Sequence, residues 1–293
     1  MPIEPASVSP SVSCGACGEP TTGEDARCEA CGRRPAGVEH AEDVLESPDA
    51  GTATVIVLGA GVTDRGHRRR RNEDAFDLVR VATDTGDVVV AVVCDGVASV
   101  PAGGQDLDEA AATTADAARR AVAALAPGAG QAPACTYVAA VLDAERAVVS
   151  WVGDSRAYWL CPATPEDSAV LTEDDSWAAE MVAAGVVGAA DALSDPRAHV
   201  ITRWLAADAP DVVARHRSWA LDDTGVLLLC SDGVWNHLPD PAVLAAALPS
   251  ATTPTDADGV HAGALALVDA ALDDGGHDNA TAILLAVGPA PGA

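Results

Sequence analysis

The sequence predicts an α+β chain in which antiparallel sheet is covered by helices. Short apolar runs rich in valine, alanine and leucine outnumber helix-like stretches, and they come in consecutive groups, as across 75–94 and 136–161. Regular βαβ winding would instead interleave strand and helix one for one. Hydrophobic residues make up 49% of the 293, enough to bury a core and to exclude wholesale disorder. Only 3% are aromatic, so small aliphatic side chains must fill that core.

Taken in order, residues 1 to about 50 stand apart. They hold six prolines, from Pro2 to Pro48, and four of the eight cysteines, and they show no helical or strand period. Residues 1–13 lack a basic region and an apolar stretch, so they read as a disordered N-terminus without a secretory signal. Residues 14–36 are expected to form a small zinc ribbon and 37–52 an acidic linker. A larger domain then spans 53–289. Its predicted strands are 54–58, 75–81, 88–94, 136–142, 147–152, 157–161, 212–219, 226–230 and 281–287. Its predicted helices are 106–125, 173–184, 241–248 and 259–272. No run approaches the ~18 apolar residues of a membrane span, and the expected compartment is the cytoplasm.

The net charge is −27, from 44 acidic against 17 basic residues, and every basic residue is arginine. So acidic a chain repels nucleic acid and anionic membrane, which removes both from the expected partners. Solubility in high salt and a biased genome both account for the composition; the missing lysine favours the second.

Cys14-Gly-Ala-Cys17 and Cys28-Glu-Ala-Cys31 are two C-x-x-C knuckles separated by ten residues. Facing each other they supply four thiolates, the tetrahedral shell of one structural Zn²⁺. So short a segment cannot fold on apolar burial, and the metal would supply its folding energy. A reducing compartment disfavours the disulfide alternative. The segment resembles the zinc ribbons found at the ends of many bacterial regulatory proteins, and its acidity makes a protein its expected partner. The other cysteines, Cys94, Cys135, Cys161 and Cys230, lie in apolar runs and read as packed small hydrophobes.

Thr54-Val-Ile-Val-Leu-Gly59-Ala-Gly61 looks like a strand entering a dinucleotide loop, but Asp64 stands where a third glycine should. A carboxylate there would meet a pyrophosphate with like charge. The informative pattern is a set of acids at strand ends: Asn72-Glu73-Asp74 before one strand, Asp95-Gly96 after another, Gly153-Asp154-Ser155 between two, Ser231-Asp232-Gly233 after a fourth and Asp278-Asn279 before the last. A single Asp-Gly at a strand end is ordinary turn chemistry. If these acids converge, each like-charge contact at ~4 Å costs roughly 4 kcal/mol at an effective dielectric near 20. Multivalent cations would hold such a cluster together, and all-oxygen donors select Mg²⁺ or Mn²⁺.

In this order the motifs resemble the PP2C (PPM) family of metal-dependent protein phosphatases, bacterial branch: 63–74 through Arg69, Asn72, Glu73 and Asp74; Cys94-Asp95-Gly96; Gly153-Asp154-Ser155-Arg156-Ala-Tyr158; 171–177; Cys230-Ser231-Asp232-Gly233; and Asp278-Asn279-Ala-Thr281. The likeness spans about 54–288. It implies an α-β-β-α sandwich of two antiparallel sheets flanked by helices. It further implies hydrolysis of phosphoserine and phosphothreonine by attack of a bridging metal-bound hydroxide on phosphorus, with no phosphoenzyme.

Carried over residue by residue, Asp95, Asp232 and Asp278 would hold one metal. Glu73, Asp95 and the Gly96 carbonyl would hold a second, and Asp154 with Asp232 a weaker third. Arg69 would grip the substrate phosphate. Asp74 would be metal-linked, with Asn72 and Asn279 supporting the site. Two or three Mn²⁺ or Mg²⁺ per site, phosphorylated substrates of bacterial Ser/Thr kinases and a monomeric chain are the corresponding expectations. Arg68, Arg70 and Arg71 read as a solvated loop or as an attraction for acidic phosphopeptides.

Two motifs depart from the family. Asp95-Gly96 is followed by Val97-Ala98-Ser99, where many bacterial members have Met-Gly-Gly and eukaryotic members place a presumed acid histidine at the position of Val97. Leaving-group protonation therefore falls to water. The usual Asp-His-Ser is Asp174-Asp175-Ser176, expected outside the metal set on the substrate-side loop, and residues 183–206 align with the family's variable flap. The alternative reading, resting on the first departure, is a non-catalytic phosphoprotein-binding module recruited through its ribbon.

Overall fold

The computed structural model describes residues 11–13, 20–22, 40–45, 55–83, 86–96, 106–124, 133–206, 209, 212–221 and 223–289. Cys14, Cys17, Cys28 and Cys31, and with them the expected zinc ribbon, lie outside the described residues, as do Val97-Ala98-Ser99. The chain divides into two compact units, Met1–Ala41 and Glu42–Ala293.

In the first unit, β1 (Ser11–Ser13) pairs antiparallel with β2 (Pro20–Thr22). β1 takes in the last three residues of the segment 1–13 that the sequence reads as disordered. Three-residue strands of mostly small polar side chains pair through the main chain and leave no apolar period to read. Within the stretch 37–52 expected as an acidic linker, His40–Val44 forms β3. Its mostly exposed acidic side chains belong on a sheet edge, where they discourage pairing with another chain.

The second unit is built on two antiparallel sheets. Its elements follow as β4 (Val55–Asp64), β5 (Asp74–Thr83), β6 (Gly86–Asp95), α1 (Leu107–Ala124), β7 (Ala134–Cys135), β8 (Tyr137–Leu142), β9 (Arg146–Val152), β10 (Arg156–Leu160), β11 (Ala169–Val170), α2 (Trp177–Ala183), α3 (Ala189–Ser194), β12 (Leu205–Ala206), β13 (Arg215–Ala220), β14 (Gly225–Cys230), α4 (Asp232–Trp235), α5 (Pro241–Ala247), α6 (Ala257–Asp273) and β15 (Ala280–Pro289). One sheet runs β11-β10-β14-β15-β4-β3 and the other β13-β9-β8-β6-β5; β7 and β12 pair separately. All nine predicted strands form. The segment through Gly59 and Gly61 is uninterrupted strand paired along its whole length with β15, which removes the dinucleotide-loop reading.

Period-two alternation sorts each strand between two interiors. Val89, Ala91 and Val93 of β6 face Leu227 and Leu229 of β14 and Ile283 and Leu285 of β15 in the layer between the sheets. The intervening Val90, Val92 and Cys94 pack under α1. Leu228 and Leu284 pack under α5 and α6 with Leu244, Leu267 and Val268. Both faces of both sheets are therefore covered, which gives an α-β-β-α sandwich. It also explains why the central strands read as unbroken apolar runs.

The helices form where the sequence starts them. α6 begins at Asp256, whose side chain accepts from the Gly259 N–H at 2.7 Å. α5 begins at Asp240, with Pro241 at its first position. α2 begins at Ser176, which accepts from the Ala179 N–H at 3.3 Å. α2 leads into the flap segment, which carries α3, and the two meet over a small separate cluster around Ala178, Ala192 and Ala198. Cys94, Cys135 and Cys230 are buried as expected, and Cys161 is half-buried. No helix among the described residues is long and apolar enough to cross a membrane.

Candidate active site

Five carboxylates reach one end of the sandwich from five strand ends. Asp74 opens β5 and Asp95 closes β6, and the two are direct cross-strand partners. Asp154 occupies the tight turn between β9 and β10. Asp232 follows β14 as the first residue of α4, and Asp278 stands just before β15. β5, β6 and β9 belong to one sheet and β14, β15 and β10 to the other, so the site sits where the two sheets meet.

Hydroxyls tie the sheets together beneath it. Asp74 is buried, and its Oδ2 accepts from Ser231 Oγ at 2.7 Å and Thr281 Oγ1 at 2.6 Å. Thr281 also pairs with Thr63, which accepts from Asn72 Nδ2 at 2.9 Å. Asn279 anchors the loop that carries Arg69 and Glu73. Its Oδ1 accepts from the Glu73 N–H at 2.8 Å, and its Nδ2 donates to the Arg65 and Arg71 carbonyls at 2.7 and 2.9 Å. The Glu73 carbonyl in turn accepts from the Gly96 N–H at 2.9 Å. Glu73 is thus fixed by its main chain beside Asp95 while its side chain remains exposed. Trp235 Nε1 donates to the Asp154 carbonyl at 2.8 Å, and Asn236 Nδ2 donates to Asp232 Oδ2 at 3.2 Å.

Two glycines are required by this crowding. Gly96 has φ +106°, and a Cβ there would stand 2.3 Å from the Ala134 carbonyl oxygen. A Cβ on Gly233 would stand 1.7 Å from the Asn279 carbonyl oxygen, so α4 could not approach the start of β15.

The carboxylates act on one another. Burial pushes Asp95 up to about 8, reinforced by the negative charges of Asp74, Asp278 and Asp154. Burial, then Asp95 and Asp278, raise Asp232 to about 7, and Asp95 and Asp232 lie within hydrogen-bonding reach of each other. Burial, then Asp232 and Asp174, raise Asp154 to about 7. Burial raises Asp74 to about 7 against the pull of its two hydroxyl donors. Arg69, half exposed at the rim, donates from Nη2 to Asp278 Oδ2.

This donor set suits a hard divalent cation. Asp74 Oδ1 and Asp232 Oδ1 are buried with no hydrogen-bond partner. Neighbouring carboxylates raise one another toward neutral pH, and every available donor is oxygen. Among the described residues, no three His, Cys, Asp or Glu side chains already surround a single point as a finished ligand set. The expected ligands Asp74, Asp95, Asp154, Asp232 and Asp278 are nevertheless brought together, with Asn72 and Asn279 beneath them.

Ser231, Thr281 and Thr63 stand in the quoted motifs, but their role as hydroxyl links between the sheets carried no readable signal. Thr136, whose Oγ1 accepts from the Asp95 N–H at 3.2 Å, lies outside every motif. Trp235 reads as core. Asp174 and Asp175 separate in role: Asp174 accepts both arms of the Arg156 guanidinium, which also stacks 3.6 Å over the Trp235 ring. Asp175 is fully buried. Its Oδ2 accepts from the Gly153 N–H at 3.0 Å and its Oδ1 from Arg215 at 2.6 Å, with Arg203 at 3.5 Å. Asp174 and Asp175 thus hold Arg156 and the Gly153 turn beside Asp154, and the Asp174 charge bears on Asp154.

No family model matches the chain. It is 32% identical over 151 residues to the serine/threonine phosphatase stp of Listeria innocua, covering 51% of this chain and 55% of that protein. It is 35% identical over 105 residues to its Listeria welshimeri counterpart, covering 36% and 40%. The chain spans about half the length of the curated relatives it matches, or less. Among solved structures, the Mycobacterium tuberculosis serine/threonine phosphatase PstP/Ppp superposes with a TM-score of 0.62 at 24% identity, over 78% of this chain and 98% of that one. The PstP catalytic domain in complex with two manganese ions gives 0.62 at 23%, over 80% and 99%. Stp1 of Staphylococcus aureus gives 0.59 at 24%, over 78% and 94%. The sandwich is therefore the PP2C-type phosphatase fold.

Proposed function

We propose that this chain, with the fold of the PP2C-type phosphatases, is a metal-dependent protein serine/threonine phosphatase. The observation that carries the reading is the buried meeting of Asp74, Asp95, Asp154 and Asp232, each raised to about 7 or 8 by burial and by other acids, with two of their oxygens unpaired. The partial likeness to the Listeria phosphatases and the two manganese ions of the PstP domain support it.

In this reading Asp95, Asp232 and Asp278 hold one Mn²⁺ or Mg²⁺, Glu73, Asp95 and the Gly96 carbonyl a second, and Asp154 with Asp232 a third. Such ions, when bound, neutralise the phosphate dianion and make a water acidic enough to attack near neutral pH. The chain's own residues do the rest. Asp74, fixed by Ser231 and Thr281, keeps one oxygen turned to the cluster. Asn279 holds the Arg65–Glu73 loop, and Arg69 leaves Asp278 to grip two phosphate oxygens at the rim. In this reading no side chain among the described residues serves as a covalent nucleophile. Cys94 and Cys230 are buried, and their thiols are pushed up, Cys94 by its contact with Cys135 and by burial, Cys230 by burial. A structural Zn²⁺ on Cys14, Cys17, Cys28 and Cys31, a protein partner for that segment, a cytoplasmic location and kinase-phosphorylated substrates belong to the same proposal.

The test is release of phosphate from a phosphothreonine peptide by the full chain. Turnover with Mn²⁺ that stops with EDTA and returns with Mn²⁺ is expected. A folded protein without turnover at any divalent metal overturns it.

A further inference from the structure

A cavity of about 400 Å³ opens beside the carboxylate cluster, lined by His199, Asn236, His237, Asp274, His277 and Asp278. It shares Asp278 with the proposed centre, and Gly233, also in its wall, follows Asp232. A side chain entering it would therefore stand next to a phosphate held at that centre. Resting on the phosphatase reading, we propose that this cavity takes an arginine side chain flanking the phosphorylated residue, and so makes the site selective for basic phosphopeptides.

The walls combine what a guanidinium uses. Asp274 caps the C-terminus of α6, a helix of 17 residues with no basic residue in its last turn. The carbonyl end of the helix dipole and the carboxylate therefore add to one negative pole. Among the described residues Asp274 accepts from His237 Nδ1 at 2.8 Å, and its side chain stays 69% exposed, open to a second donor. The His237 side chain is almost fully buried. The exposed His277 ring lies against it, centroids 5.3 Å apart and planes 31° apart. His199, brought by the flap, stands 6.1 Å from Trp235 on another wall. Flat rings beside a carboxylate suit a planar cation that stacks and forks its hydrogen bonds. The same molecule already does this once, where Arg156 lies on Trp235 and forks onto Asp174. A net charge of −27 adds a long-range attraction for a basic peptide.

The experiment measures binding, so it does not depend on turnover. Fluorescent peptides carrying a non-hydrolysable phosphonate analogue of phosphothreonine are titrated with the Mn²⁺-loaded full chain. Arginine, citrulline, alanine or glutamate is placed in turn at each of the four positions on either side. At one position or more, arginine should bind about five- to tenfold tighter than citrulline. Asp274→Asn and His277→Ala should each bring that ratio within twofold. The inference is overturned if no position shows an arginine preference, if glutamate is preferred instead, if the peptides do not bind, or if the preference survives both substitutions. Hydrolysis of p-nitrophenyl phosphate, which has no flanking residue, is read on the same preparations. Asp274→Asn should stay within twofold of the native rate there. Absence of native turnover would sink the phosphatase reading, while the arginine-to-citrulline ratio still decides the cavity.

Discussion

Asp175 offers a sharp test of how the flap is held to the site. Its carboxylate is completely buried yet joins three elements: the Gly153 N–H beside Asp154, Arg215 on β13 and Arg203 at the flap's end. Its main chain adds the N–H to the Gly153 carbonyl and its carbonyl to the Thr202 N–H, both at 2.8 Å. In Asp175→Ala the amide loses its acceptor, and two guanidinium groups lose their buried counter-charge. Breaking a wholly buried pair costs about 3–5 kcal/mol. Here Arg215 and Arg203 are each about one-third exposed and can recover water, so the expected loss is about 2–3 kcal/mol. Arg215→Ala should cost about 1 kcal/mol, because Asp175 keeps the Gly153 N–H. The double variant should then show a coupling of about 1–2 kcal/mol. Urea unfolding at fixed Mn²⁺ gives all three values. An Asp175→Ala loss below about 0.5 kcal/mol, or a coupling near zero, would refute the reasoning.

Other expectations follow from the same cluster. Asp74, Asp95, Asp154 and Asp232 all have folded values raised to about 7 or 8. The folded state therefore holds protons that the unfolded chain releases near pH 4, and stability must fall as pH rises from about 4 through about 8. Chelated protein should melt lower at pH 8 than at pH 5.5, and Mn²⁺ should remove most of that slope; a chelated protein that gains stability over this range contradicts the burial argument. Gly233→Ala should cost at least about 3 kcal/mol or prevent folding, since its Cβ would overlap the Asn279 carbonyl, as soluble yield and thermal melts will show. Asn279→Ala removes three hydrogen bonds at a buried position and should cost about 2–3 kcal/mol. It should also raise the Mn²⁺ concentration needed for half-maximal activity, because the Glu73 loop loses its anchor.

The sheet core was legible because alternation and runs of valine and leucine survive in one sequence. β6, β14 and β15 are bounded within a residue or two of their apolar runs, apart from β15's extension to Pro289. The short pieces were not. α4 is a single turn made by Ser231-Asp232-Gly233, and β3 is an acidic edge whose partner is supplied by β4. Asp95, Asp232 and Asp278 could be named because an acid beside glycine or asparagine at a strand end is a local signal. That Asp74 would be buried between Ser231 and Thr281 could not, since those hydroxyls come from 157 and 207 residues away. Of the three cavity histidines, His237 and His277 come from beside the paired ends of β14 and β15 in one sheet, and the distant flap adds His199, so no local run of sequence shows them together.

Mn²⁺ binding tests the central claim most directly. Calorimetric titration of the chelated full chain should show at least two ions per chain, with binding severely weakened in Asp232→Asn while its circular dichroism matches the native protein. A folded native chain that takes up no Mn²⁺, or an Asp232→Asn variant that binds it with unchanged stoichiometry and affinity, would contradict the account.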